Sequence, residues 1–150
     1  MDFSGLLRNR VLIAALAAWL SAQIVKVPIT YLRTRRWTWA PLFTVGGMPS
    51  SHSALIVGAT NATGLYFGYD SPLFALGVAI AMIVTYDAAG VRILAGMHAE
   101  RINVLFDELL KGHMWDELEL REVLGHTPLE VLTGMLWGLL ITFAVWWYWK

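Results

Sequence analysis

The sequence predicts an all-α, integral-membrane helical bundle: four transmembrane helices plus an amphipathic helical segment on the cytoplasmic face. Three observations carry that expectation. Hydrophobic residues make up 57% of the 150-residue chain and charged residues only 15%, against about 25% charged in a typical soluble domain. The apolar residues fall in four long stretches almost free of charge. Each later stretch opens on a helix-start signal, a Ser or Thr cap beside a proline. The surplus apolar surface is therefore expected to face lipid, and the length suits one domain over residues 1–150. A formal net charge of zero argues against nucleic acid as a partner. With no cysteine there is no disulfide framework and no thiolate metal site. The first apolar run lacks a small-residue cleavage site and is followed by basic residues, so it reads as a span and not as a signal peptide.

In chain order, Val11 to Val25 carries no charge and is bounded by Arg10 and Lys26; extended from about Leu6 to Leu32 it is long enough to cross a bilayer. Tyr31 to Trp39 mixes Arg33, Arg35 and Arg36 with Trp37 and Trp39, a composition suited to the headgroup level. The second span runs from Ser50 to about Tyr69. Gly58, Asn61, Thr63 and Gly64 lie within it, where small residues allow close helix approach and Asn61 is expected to face protein. Asp70-Ser71-Pro72 forms a turn with Ser71 as cap, and the third span, Leu73 to about Val91, meets Asp87 before its end, with Arg92 the natural partner. Ile93 to Leu124 is amphipathic and acidic, fit to lie on the membrane surface. Gly125-His126-Thr127-Pro128 then breaks the chain, with Thr127 as cap. The fourth span, Val131 to Trp149, closes in the Trp146-Trp147-Tyr148-Trp149 aromatic belt with Lys150 beyond.

Four crossings put both termini on one side and the two long connections on the other. The connections hold Lys26, Arg33, Arg35, Arg36, Arg92, Arg101, Lys111 and Arg121, while the opposite side has Arg8, Arg10 and Lys150. The positive-inside rule then predicts a multi-pass protein of the inner (plasma) membrane, with connections in the cytoplasm and termini outside.

On this layout three polar clusters share the cytoplasmic side. His52 begins the second helix, in the stretch Gly46-Gly47-Met48-Pro49-Ser50-Ser51-His52-Ser53. Asp87, Arg92 and His98 lie at or past the end of the third. His126 and Glu130 begin the fourth. The first turn of a helix exposes N–H donors and the positive end of its dipole, which suits a phosphate. Ser50, Ser51 and Thr127 are the predicted phosphate-binding positions at two such starts, with the forked guanidinium of Arg92 beside them. Phosphoryl transfer needs the phosphate oxygens neutralised and the departing alkoxide protonated. Two imidazoles can divide that work, one attacking phosphorus and the other protonating the leaving oxygen. His126 has Glu130 one helical turn later on the same face.

Met48-Pro49-Ser50-Ser51-His52-Ser53 resembles the P-S-G-H motif of the type 2 phosphatidic acid phosphatase and vanadium haloperoxidase superfamily, and Arg92-x5-His98 resembles its R-x5-H motif. From about Val11 onward, including Tyr86 to Arg92 and Leu124 to Val131, the chain is similar to the small divergent branch of that superfamily. The resemblance implies His52 as general acid, phosphate binding by Arg92, and a phosphohistidine intermediate on a histidine oriented by an acid four residues on: His98 has the motif's distance from Arg92 but Ile102 at that position, His126 has Glu130, and His126 is favoured. Its K-x6-R-P motif is matched in part: Lys26 leads to Arg33, followed by Thr34 where the motif has proline. Lys26 and Arg33 are expected either to bind phosphate or to snorkel to the interface. The implied activity is a lipid phosphate phosphatase acting on phosphatidylglycerophosphate, phosphatidate or a polyprenyl (di)phosphate, with no cofactor and no obligatory metal.

Two other classes remain open. Asp87 to Arg92 is loosely similar to the acidic motif of Mg²⁺-dependent CDP-alcohol phosphotransferases, with Glu100, Asp107 and Glu108 as further oxygen ligands. A non-catalytic reading makes the same clusters a binding surface for anionic lipid. The expected partners are a membrane lipid substrate and the bilayer itself, and the sequence leaves homo-oligomerisation open.

Overall fold

A computed structural model describes residues 3–42, 46–90, 97–98, 101–105 and 127–150. Four helices form the bundle: α1 (Arg10–Thr34), α2 (Ser51–Phe67), α3 (Pro72–Ala89) and α4 (Pro128–Tyr148), with short 3₁₀ segments at Phe3–Arg8 and Ala40–Leu42. Residues 97–98 and 101–105 are also helical, and no strand occurs among the described residues.

Each helix start is built by a cap. Asn9 Oδ1 accepts from the Leu12 N–H at 3.1 Å, and the Ser50, Ser71 and Thr127 hydroxyls accept from the N–H groups of Ser53, Phe74 and Glu130. Pro72 and Pro128 stand in the first turns, where a missing N–H costs nothing. The helix α1 runs on to Thr34 and stops at Arg35 in the left-handed region (φ 56°), so the Arg/Trp stretch expected from Tyr31 begins with one more helical turn.

The core is made of small side chains. Ala14, Ala15, Ala18 and Ala22 of α1, Ala54, Gly58 and Ala62 of α2, and Gly134 and Gly138 of α4 are all buried. A Cβ on Gly58 would stand 3.0 Å from Ala18 Cβ and 3.2 Å from Thr142 Cγ2, and one on Gly138 would fall 2.6 Å from the Ala54 carbonyl oxygen. These approaches are only open to residues without side chains, which is how helices associate where lipid supplies no hydrophobic drive. Polar bonds lock the register. Asn61 Nδ2 donates to Thr142 Oγ1 at 2.7 Å, the Tyr69 hydroxyl donates to Asn61 Oδ1 at 3.0 Å, and Trp137 Nε1 donates to Ser21 Oγ at 3.0 Å. Asn61 thus faces protein, as expected for an amide at that depth.

Three helices, α1, α3 and α4, are long and apolar enough to cross a membrane. The expected fourth, α2, has 17 residues, one fewer than α3 and about 25 Å at 1.5 Å per residue, at the short end of what crosses a bilayer. It lies packed between its neighbours, where a membrane-spanning length is not needed to shield it from lipid. The described residues therefore support three spans by length and composition, with α2 as a buried fourth helix of the bundle.

Contacts at the two ends set the directions. At one end Arg10 lies over the Tyr66 ring, 5.7 Å from its centroid; at the other, Lys26 Cδ is 4.0 Å from the Cβ position of Gly47. Hence α1 and α2 are antiparallel, α2 and α4 parallel. The end of α1, the starts of α2 and α4 and the end of α3 come together at one end of the bundle.

Candidate functional site

That end is held by one backbone bond. The Ser50 N–H donates to the Glu130 carbonyl oxygen at 2.9 Å, joining the turn before α2 to the first turn of α4 across 80 residues of chain. Gly134 makes the approach feasible, because a Cβ there would stand 2.3 Å from the Ser50 carbonyl oxygen. The turn itself needs Gly46 and Gly47, both at positive φ (112° and 82°), a region that costs residues with a Cβ about 1 kcal/mol or more. The Met48–Pro49 peptide is cis.

Ser50 is fully buried and its polar groups are engaged. Its hydroxyl receives the Ser53 N–H at 3.3 Å and the Ser53 hydroxyl at 3.0 Å, while its N–H serves the junction with Glu130. Its position in the structure is that of a keystone between helices. Ser51, next in the chain, is also buried, and His52 stands exposed on the first turn of α2. His52 has a partner of its own in the structure.

Lys26 is the residue that the sequence reading described least well. It is 2% exposed, so it does not snorkel to water; the end of α1 places it beneath Gly47, and the charge of Glu130 acts on it. Arg33, two helical turns further on, is exposed, and its Nη2 donates to Met48 Sδ at 3.5 Å. The two cations of the partial K-x6-R motif therefore flank the same Gly46–Ser53 turn from one helix.

Glu130 takes part in a capping box: its carboxylate accepts from the Thr127 N–H at 3.2 Å while the Thr127 hydroxyl accepts from the Glu130 N–H at 3.3 Å. The backbone donor expected from Thr127 is thereby engaged within its own helix start. The Thr-x-x-Glu spacing is the signal that identifies this arrangement. Asp87 is half-buried near the end of α3 and has a partner, and His98 is exposed. Arg92 and His126, with Glu100, Asp107 and Glu108 of the Mg²⁺ alternative, lie outside the described residues. The structure thus brings Lys26, Arg33, Ser50, Ser51, His52, Thr127 and Glu130 to one end of the bundle.

Residues 7–141 match the family described as the Divergent PAP2 family. The chain belongs to it. It is also 38% identical over 151 residues to "Uncharacterized membrane protein YuiD" of Bacillus subtilis (strain 168), covering 93% of this chain and 96% of that protein. No solved structure matches it significantly. This is accordingly a membrane protein of a phosphatase-related family. Family membership directs attention to the end where the Gly46–Ser53 turn, two cations and the start of α4 meet, because a phosphate needs such a mixture of fixed charge and N–H donors.

Proposed function

We propose that this protein is an integral-membrane phosphatase for lipid phosphates, working at the headgroup plane through a phosphohistidine intermediate. The observation that carries the reading is the Ser50–Glu130 backbone bond. It sets the helix that carries His52 against the helix that follows His126, with the buried Lys26 ammonium beneath the turn.

In this reading Lys26, Arg33 and Arg92 neutralise the phosphate oxygens, helped by the first-turn N–H groups of α2 at Ser51 and His52. A ring nitrogen of His126 attacks phosphorus, the bond from phosphorus to the lipid oxygen breaks, and the His52 imidazolium gives its proton to that oxygen. Water then attacks the phosphohistidine, His52 takes the water proton, and inorganic phosphate leaves. Glu130 shapes the start of α4 and tempers the buried charge of Lys26. His98 is the alternative nucleophile, and Asp87 orients Arg92. The excess of basic residues in the connections supports a cytoplasmic location for this end. The substrates expected are phosphatidylglycerophosphate, phosphatidate or a polyprenyl (di)phosphate.

The test is phosphate release from a panel of these lipids by the purified protein in detergent, with and without EDTA. His52→Ala is expected to lower turnover by about 10³-fold, the range for loss of a general acid, and His126→Ala to abolish it. Unaltered turnover in both variants contradicts the proposal. Activity lost in EDTA and restored by Mg²⁺ points to the headgroup-transferase alternative, and lipid binding with no turnover of any phosphate ester points to a binding protein.

A further inference from the structure

Helix α3 is joined to the bundle mainly near its start. Gly77 lies against Thr60, with 3.1 Å between its Cβ position and Thr60 Oγ1, and Phe74 packs edge-on against Tyr69 with ring centroids 5.0 Å apart. Toward its other end α3 stands away from α4, and two cavities fill the gap. One, of about 240 Å³, is bordered by Asn61, Tyr69, Phe74, Val78 and Met82. The other, of about 370 Å³, is bordered by Tyr86, Ala89, Pro128, Val131 and Leu132. Both include Met82, Thr85 and Met135, so they form one trough.

Three features of the trough identify its occupant. Its walls are almost wholly apolar. It opens sideways on surfaces that face the bilayer, since Met82 is 67% and Leu132 52% exposed in a helix pair that spans the membrane. And its upper end, at Pro128 and Val131, lies on the same helical turn as Glu130, which carries the junction of the candidate site. From Ala89 down to Phe74, α3 rises about 22 Å, more than the about 15 Å of one leaflet of hydrocarbon. Tyr69 and Phe74, the former tied to Asn61, close the far end.

We propose that the trough between α3 and α4 holds one extended acyl chain of a phospholipid whose phosphate occupies the candidate site, with the Tyr69–Phe74 pair limiting how long a chain it accepts. This rests on the proposed function for the identity of the headgroup, and it adds where the tail lies and which residues measure it. A chain already in hydrocarbon gains no hydrophobic free energy on entering, so the trough selects by fit: chains up to its length pack along its walls, and longer ones meet the aromatic pair.

The experiment uses the full-length protein in phosphatidylcholine vesicles containing a small fraction of phosphatidate with a diazirine at the end of one acyl chain. After irradiation, adducts are mapped by peptide mass spectrometry. The expected result is labelling concentrated on Val78, Met82, Met135 and Phe74, lost for the most part in Met135→Trp, whose ring would occupy the chain's place in the trough, and unchanged by Leu76→Trp on the open side of α3. A shorter-chain probe is expected to move the label toward Leu132 and Tyr86. Labelling spread equally over the outward residues of α1, such as Leu16, Leu20 and Ile24, overturns the proposal whatever the variants do. Cross-linking requires no turnover, so a labelled trough in a protein that releases no phosphate contradicts the phosphatase reading alone, and phosphate release with an unlabelled trough contradicts this inference alone.

Discussion

Helices α2 and α3 are nearly equal in length, 17 and 18 residues, yet nine residues of α2 are buried and only Ala88 of α3 is. The difference lies in side-chain size and polarity. Helix α2 carries Ser51, Ser53, Gly58, Thr60, Asn61 and Gly64 on surfaces that meet α1, α3 and α4, and its polar groups find protein partners. Helix α3 offers Leu73, Leu76, Ile80, Met82 and Ile83 outward, as a helix in hydrocarbon can without cost. A bundle in a membrane is thus held by a helix rich in small and polar residues. The same helix carries the turn around which the candidate site is built, and the loosely held α3 leaves room beside it for lipid.

Overfilling the α2–α4 contact should have the largest effect on stability. Gly134→Leu would drive a side chain into the Ser50 backbone and is expected to destabilise by about 3 kcal/mol, read as a lower unfolding midpoint in detergent, with turnover lost too.

Lys26→Met separates stability from function. Burying an ammonium costs several kcal/mol, offset only in part by the carboxylate of Glu130, which is itself half-buried. The variant is expected to unfold no more easily than the wild type, while phosphate release falls about 10²-fold, the range for removing one charge-stabilising group. A parallel loss of both would make Lys26 a structural residue.

Asn61→Leu removes the bonds to Thr142 and Tyr69 and should destabilise by about 1 kcal/mol, the scale of interhelical hydrogen bonds in membranes. Ile83→Ala, on the exposed face of α3, should change stability by less than about 0.5 kcal/mol. If those two variants were equal, the contrast between α2 and α3 would have no energetic content.

Local chemistry in the sequence made the helix starts legible. Ser71 and Thr127 cap where their hydroxyls and the following prolines said they would, because capping depends on residues three or four apart, and Ser50 is the cap among the three serines of its turn, with Pro49 before it and outside the first turn of α2. Lys26 was not legible in the same way. A cation near the end of an apolar stretch snorkels or is buried according to what packs over it, and here that is Gly47, 21 residues on. Glu130 is expected from the sequence only as a partner for His126, four residues before it, although Thr127 stands three residues before it at capping-box spacing. The structure shows the capping box, and His126 lies outside the described residues. The pairing of Asn61 with Thr142 depends on the register of α2 against α4, which the small residues Gly134 and Gly138 set and which no single stretch encodes.

The most direct test of a single anion site at the junction of α2 and α4 is a rapid-quench experiment with a radiolabelled lipid phosphate. The account predicts an acid-labile, alkali-stable phosphoryl label on the wild-type chain that maps to histidine and disappears in His126→Ala and Lys26→Met. Phosphate release with no such label, or a label undiminished in Lys26→Met, would contradict it.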